Sequence, residues 1–318
     1  VPAERGKRQS ATAPVNDARK KSTPPPSALS KTLVGHADWV QSVSFAPDGK
    51  QLASAGNDRV IRIWDVVSGQ AIATLSGHQH PINALAYSPD GKWLASAGTN
   101  GSVRVWDRAS GNTSRMLRAE GYAVYGVAFA RGGQLATAGE DRAVTLWNIT
   151  SGNVVRTLDG HKADIYALAF SPSGRSLVSA GADRTIRVWD LVRGEQAAEL
   201  PGHRETILAL AYSPDGRWLA SSDASNTIRI WDAHTLAPVR ALTDVRHAAL
   251  SLVFSRDGSW LAAGAADHAI HVFDTDIGRP VQVLNGHLGY VQALALSPDG
   301  GVLASGGRDG SVRLWQSK

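Results

Sequence analysis

An all-β fold assembled from seven similar units is what the 318-residue sequence predicts. Three observations carry this. A Trp-Asp-like pair recurs at Trp64-Asp65, Trp106-Asp107, Trp147-Asn148, Trp189-Asp190, Trp231-Asp232, Phe273-Asp274 and Trp315-Gln316, at spacings of 42, 41, 42, 42, 42 and 42 residues. A Gly-His pair opens five units, with His36, His78, His161, His203 and His287 each 28 residues before its tryptophan. Between the pairs, apolar and polar residues alternate with period two, which places them on opposite faces of a strand. A fixed period of this length is the mark of a repeat architecture.

In chain order, residues 1–30 come first. They hold Pro24-Pro25-Pro26, many small polar residues, and +4 of the chain's net charge of +5. Such a composition predicts a disordered basic arm or linker. It would contact an acidic partner, order against another subunit, or tether the chain to an upstream domain. The first residue is Val1, which reads as processing or trimming. The compartment stays open between the cytoplasm, which is favoured, and the periplasm or export. Next, "KTLVGH" (31–36) supplies an outer strand with no unit before it. Within each unit a first strand follows the Gly-His position, then a turn such as "APDG" or "SPDG". Proline suits the second position of a type I turn, and glycine the left-handed residue after it. A strand of small residues ("LASAG", 52–56) and an alternating strand ("VIRIW", 60–64) follow, and an outer strand leads to the next unit. Unit three is one residue shorter near Gly132-Gly133. Units three and six lack Gly-His, with Glu120 and Val245 at the matching positions. Unit seven ends at Trp315 without its outer strand. Residues 31–34 are therefore expected to pair with the strand around 312–315, covering an open edge and making 31–318 one domain.

Composition narrows the function. With no cysteine there is no disulfide, thiolate metal site or cysteine nucleophile. No stretch approaches the ~20 apolar residues of a membrane span. Residues 31–318 carry only +1, which argues against nucleic acid. The excess of arginine (25) over lysine (8), with abundant alanine, points to a GC-rich bacterial source. No phosphate-binding loop, HExxH or nucleophile elbow is present. His268 and His271 are three apart, so a strand interior would send them to opposite faces, and no third ligand is near. No cofactor or metal is expected. Met116, on an outer strand, reads as packing, and Trp93, Trp218 and Trp260 as packing between units.

With period, both dipeptides and the 28-residue offset agreeing over residues 31–318, the sequence resembles the WD-repeat β-propeller family. That resemblance implies seven four-stranded antiparallel blades around a central channel. It also implies a recurring hydrogen-bond network: His36, Ser54, Asp58 and Trp64 in unit one; His161, Ser179, Asp183 and Trp189 in unit four; His287, Ser305, Asp309 and Trp315 in unit seven. Ser, His and Asp could also form a hydrolase triad, but a catalytic set occurs once, whereas this one repeats. Units two and five depart, with Asn100 and Ser225 where the turn Asp is expected. Unit six keeps only Asp267, with Val245, Ala263 and Phe273 in place of His, Ser and Trp, as though the network were removed together.

By the same resemblance, three positions per unit point to one end of the channel, the top face. Unit one gives Trp39, Gln41 and Asn57, and unit two Pro81, Asn83 and Thr99. Unit three gives Ala123, Tyr125 and Glu140, and unit four Asp164, Tyr166 and Ala182. Unit five gives Thr206, Leu208 and Ala224, and unit six Ala248, Leu250 and Ala266. Unit seven gives Tyr290, Gln292 and Arg308. Trp, Tyr and Arg are the types enriched at binding hot spots, and ring closure would bring Tyr290, Arg308 and Trp39 together. The expected function is a non-catalytic scaffold that binds a protein partner on this face. The alternative is an accessory structural subunit built permanently into a larger enzyme complex, with export of that complex left open.

Overall fold

The computed structural model describes residues 24–119, 122–242 and 245–317. These residues form seven four-stranded antiparallel sheets, the blades of a propeller. Blade one shows why the strands take their radial order. Its innermost strand is Val40–Phe45, followed outward by Gln51–Gly56, Ile61–Asp65 and Ala71–Leu75. Leu52, Ala53, Ser54 and Ala55 have no exposed surface. A strand covered on both faces by neighbouring blades needs small apolar residues, and "LASAG" supplies them. The outermost strand is mostly exposed. Between the first two strands, Pro47 opens a turn and Gly49 closes it at φ 69°. Its N–H donates to the carbonyl of Ala46 at 2.9 Å.

The apolar clusters lie between blades rather than within them. Leu33, Val312 and Leu314 of blade seven pack with Val40, Val43, Leu52 and Trp64 of blade one. Trp106 reaches into blade one in the same way, and Trp231 into blade four. The recurring tryptophan thus packs against the preceding blade. Trp218 and Trp260 do the opposite, joining the clusters shared with the following blade, and Trp93 packs against the next one. This agrees with their expected role. Met116 differs: it is 54% exposed, because the outermost strand has no neighbour on its outer side.

Ring closure follows the expected pairing. Ala28–Val34 is antiparallel to Ser311–Gln316, with Lys31 opposite Leu314, Leu33 opposite Val312 and Val34 opposite Ser311. The closing strand begins three residues earlier than expected. Ser27 N–H donates to Gln316 O at 2.9 Å, and Ser317 Oγ donates to Pro24 O at 2.9 Å. Residues 24–30 therefore sit against the C-terminal strand. The rest of the expected arm, residues 1–23, lies outside the described residues, as does Glu120.

Candidate functional site

Strand direction alternates within each blade. The loop carrying Gly-His and the turn between the second and third strands therefore emerge at the same end, the top. The buried networks stand just beneath. In blade one, Trp64 Nε1 donates to Ser54 Oγ at 2.7 Å. His36 Nε2 lies 2.7 Å from the same oxygen, and His36 Nδ1 lies 2.7 Å from Asp58 Oδ2. A hydroxyl that accepts from the indole has its own proton left for His36 Nε2, so the Nδ1 proton faces the carboxylate. Burial acts to raise the Asp58 pKa, but the bonds from His36 and Ala37 outweigh it and hold Asp58 below the ordinary value. Blade four repeats this with His161, Ser179, Asp183 and Trp189, and blade seven with His287, Ser305, Asp309 and Trp315. Each network links two strands, the turn between them and the loop that precedes the innermost strand, which is how buried polar groups rigidify a fold.

The remaining blades depart in instructive ways. Blade five is complete, contrary to expectation. Asp223, two residues before Ser225 and at the position of Gly56, reaches His203 Nδ1 at 2.7 Å. Ser221 bridges His203 and Trp231 at 2.7 and 2.9 Å. Sequence reasoning looked for the acid only at its usual turn position. In blade two, Asn100 does not reach the imidazole. Ser102 Oγ stands between them, 3.2 Å from His78 Nδ1 and 2.7 Å from Asn100 Oδ1. Burial, aided by Arg104, pushes His78 down to about 4. In blade three, Trp147 Nε1 donates to Thr137 at 2.8 Å. Burial pushes Asp141 above the usual carboxylate value. In blade six the His, Ser and Trp positions are all apolar. Val245, Ala263 and Phe273 are buried, and Asp267, in the turn, pairs with His271 Nε2 at 2.8 Å, on the strand that follows.

Ser54, Ser179, Ser221 and Ser305 are 0% exposed, and each hydroxyl is held by both an indole and an imidazole. None is free to attack a substrate, whatever its resemblance to a triad.

Above the networks, Gln41, Asn83, Tyr125, Tyr166, Leu208, Leu250 and Gln292 each stand at the β-bulge of their innermost strand, unpaired in the ladder. A bulge re-aims a side chain, here along the channel rim. A second recurring device ties the other two positions together. Asn57 N–H donates to Trp39 O at 3.0 Å, Glu140 to Ala123, Ala182 to Asp164 and Arg308 to Tyr290 at 2.9 Å. Gly56 permits this approach, since a Cβ there would meet Trp39 O at 1.8 Å.

Blades six, seven and one build one continuous array from these positions. The Arg308 guanidinium lies 4.2 Å from the Trp39 ring and 4.6 Å from the Tyr290 ring. His268, exposed in the blade-six turn at φ 72°, sits 5.8 Å from Tyr290. The order is His268, Tyr290, Arg308, Trp39. Sequence reasoning weighed His268 only as a metal ligand. Its partner is instead an aromatic ring in the next blade, a contact that only ring geometry creates. Behind the array, Gln292 Nε2 donates to Gln41 Oε1 at 3.0 Å and Gln41 Nε2 to Asn57 Oδ1 at 3.2 Å. Across the ring, Tyr125 and Tyr166 pack with tilted rings 5.1 Å apart, and Tyr125 donates to Glu140 Oε1 at 2.8 Å. Burial, reinforced by that bond, raises the Tyr125 pKa. Asp164 and Leu208 are partly exposed nearby, and Asn83 donates to Val124 O at 3.0 Å.

The family model "WD40: WD domain, G-beta repeat" matches residues 27–65, 69–107, 111–148, 152–190, 194–232, 237–274 and 278–316. The chain belongs to the WD40 repeat family. Family members are in general non-catalytic propellers that bind protein partners or complexes. This WD40 propeller is 46% identical over 50 residues to the Notchless protein homolog of Arabidopsis thaliana, covering 16% of this chain and 11% of that protein. It is 53% identical over 45 residues to an uncharacterised WD repeat-containing protein of Synechocystis, covering 14% and 13%. It is 51% identical over 39 residues to nuclear distribution protein PAC1-1 of Uncinocarpus reesii, covering 12% and 9%. The chain thus spans about a tenth of the length of these relatives. Among the described residues, no helix is long and apolar enough to cross a membrane.

Proposed function

We propose that this propeller is a non-catalytic scaffold that binds a partner protein on its top face, centred on blades six, seven and one. The observation that supports it is the continuous array of His268, Tyr290, Arg308 and Trp39. Trp39 and Tyr290 are still 37% and 38% exposed after stacking on the arginine. Cation–π contacts contribute about 0.5–1 kcal/mol each at exposed sites. Side chains already held in place lose little freedom on binding, which favours affinity. Tyr, Trp and Arg are also the residues that dominate interface energetics. The test compares the wild type with a Trp39→Ala/Tyr290→Ala variant, by co-purification from the native source with cross-linking mass spectrometry. Loss of a partner from a variant with an unchanged thermal melt is the expected result. Retention of every partner, cross-linked through residues 1–30 or the blade sides, would replace this reading with that of a built-in accessory subunit.

A further inference from the structure

The opposite, bottom end of the channel is built from the turns between the first and second strands. Five of the seven carry proline at the second position: Pro47, Pro89, Pro172, Pro214 and Pro298. Blades three and six carry Arg131 and Arg256 there instead. Both line a cavity of about 520 Å³ at the channel mouth, within the size of ligand pockets. Its wall includes Phe170, Tyr212 and Phe254, and no acidic residue. Both arginines are exposed, and neither makes a hydrogen bond or a close ion pair with a described residue. The aspartates of the neighbouring turns do not cap them. Asp215, Asp257 and Asp299 accept instead from their own turns, through Ser213 and Arg217 N–H, Ser255 and Ser259, and Ser297 and Gly301 N–H. Asp299 feels Arg256 only through space.

We infer that this mouth is a second binding site, taking an extended acidic segment of a partner protein, with carboxylates on Arg131 and Arg256 and apolar side chains on the aromatic wall. Two unpaired guanidinium groups facing a cavity without carboxylates define the charge of the occupant, and bidentate pairing with a carboxylate is the strong form of that contact. The aromatic and proline wall defines its apolar part. The arginines stand three blades apart in a ring of seven. One occupant therefore reaches both only by extending across the mouth, which a lone phosphate cannot do. This site is independent of the top face.

The test is selection of a random twelve-residue peptide library on the full chain, with an Arg131→Pro/Arg256→Pro variant as the subtracting surface. Proline restores the residue of the other five turns. The N–H of Arg131 and of Arg256 donates to no described backbone carbonyl, so the variant keeps its turn bonds. The expected winners carry Asp or Glu beside Leu, Phe or Trp. The best of them should bind the proline variant at least tenfold more weakly, an Arg131→Lys/Arg256→Lys variant only a fewfold more weakly, and the Trp39→Ala/Tyr290→Ala variant unchanged. The inference is overturned if nothing is enriched, if the winners lack acidic residues, or if the proline variant binds them equally. Binding of anionic vesicles in place of the peptides would overturn it too.

Discussion

His78 shows what one missing carboxylate does. In blades one, four, five and seven an aspartate accepts from the imidazole Nδ1; in blade two a serine stands in. Burial then holds His78 near 4, against an ordinary value of 6.5. Its folded-state pKa is depressed, so the unfolded chain binds the proton more tightly. The stability that a neutral His78 confers is therefore present above about pH 6.5 and is lost as the pH falls toward 4. Asn100→Asp places a carboxylate where blade one has Asp58, still able to accept from Ser102. The variant should match the wild type at pH 7.5 and gain about 1–2 kcal/mol at pH 5. Urea melts at the two pH values measure this, and an equal gain at both, or none, contradicts it. The same residue scale explains a reading that failed. Asp223 went unnoticed because it occupies the glycine position of the repeat, and its reach to His203 depends on backbone geometry that spacing does not convey.

At the scale of a blade, the repeat length, strand order and closing pair were legible because period-two alternation and turn residues act locally. What the rim residues touch was not legible. The tilted contact of His268 with Tyr290, and the packing of Arg308 against the Tyr290 and Trp39 rings, join different blades. So does the bond from Gln292 to Gln41, residues 251 apart in sequence. Blade six gives the element its sharpest test. Phe273 is 1% exposed and packs with Val245, Ala263 and the blade-five residues Trp218 and Ile230. Phe273→Trp would put a larger ring into a filled space and an indole N–H beside an alanine. Overpacking and an unpaired buried donor each cost about 1–3 kcal/mol. The single variant should therefore melt below the wild type. Adding Ala263→Ser supplies the acceptor that Ser54 gives Trp64, and should recover about 1 kcal/mol. Thermal melts of the two variants decide it, and a strongly stabilised single variant would show that blade six does not depend on apolar packing.

The whole molecule behaves as one body because its ring is closed by residues from both ends of the propeller. Blade seven is completed by Ala28–Val34, and Leu33 from that strand enters the cluster shared with blade one. Each blade contacts only its neighbours, so stability is a sum of blade and interface contributions, as in other repeat proteins. A closed ring differs from an open array in having no terminal repeat to fray. Removing residues 1–34 breaks closure at one place: it strips the ladder from Ser311–Gln316 and takes Leu33 from the interface. The exposed strand edge then invites pairing with another molecule. Three consequences are expected together. Amide exchange should accelerate first in blades seven and one while blades three to five keep their protection. Gel filtration should show concentration-dependent self-association. A synthetic peptide of residues 24–36, added in trans, should restore the elution of the full chain and the protection, since it carries both the ladder partners and Leu33; with Leu33→Asp in the peptide, rescue should fail. Uniform protection in the truncated chain would mean that contacts between blades alone hold the ring, and that the closing strand is an accessory to it rather than its clasp.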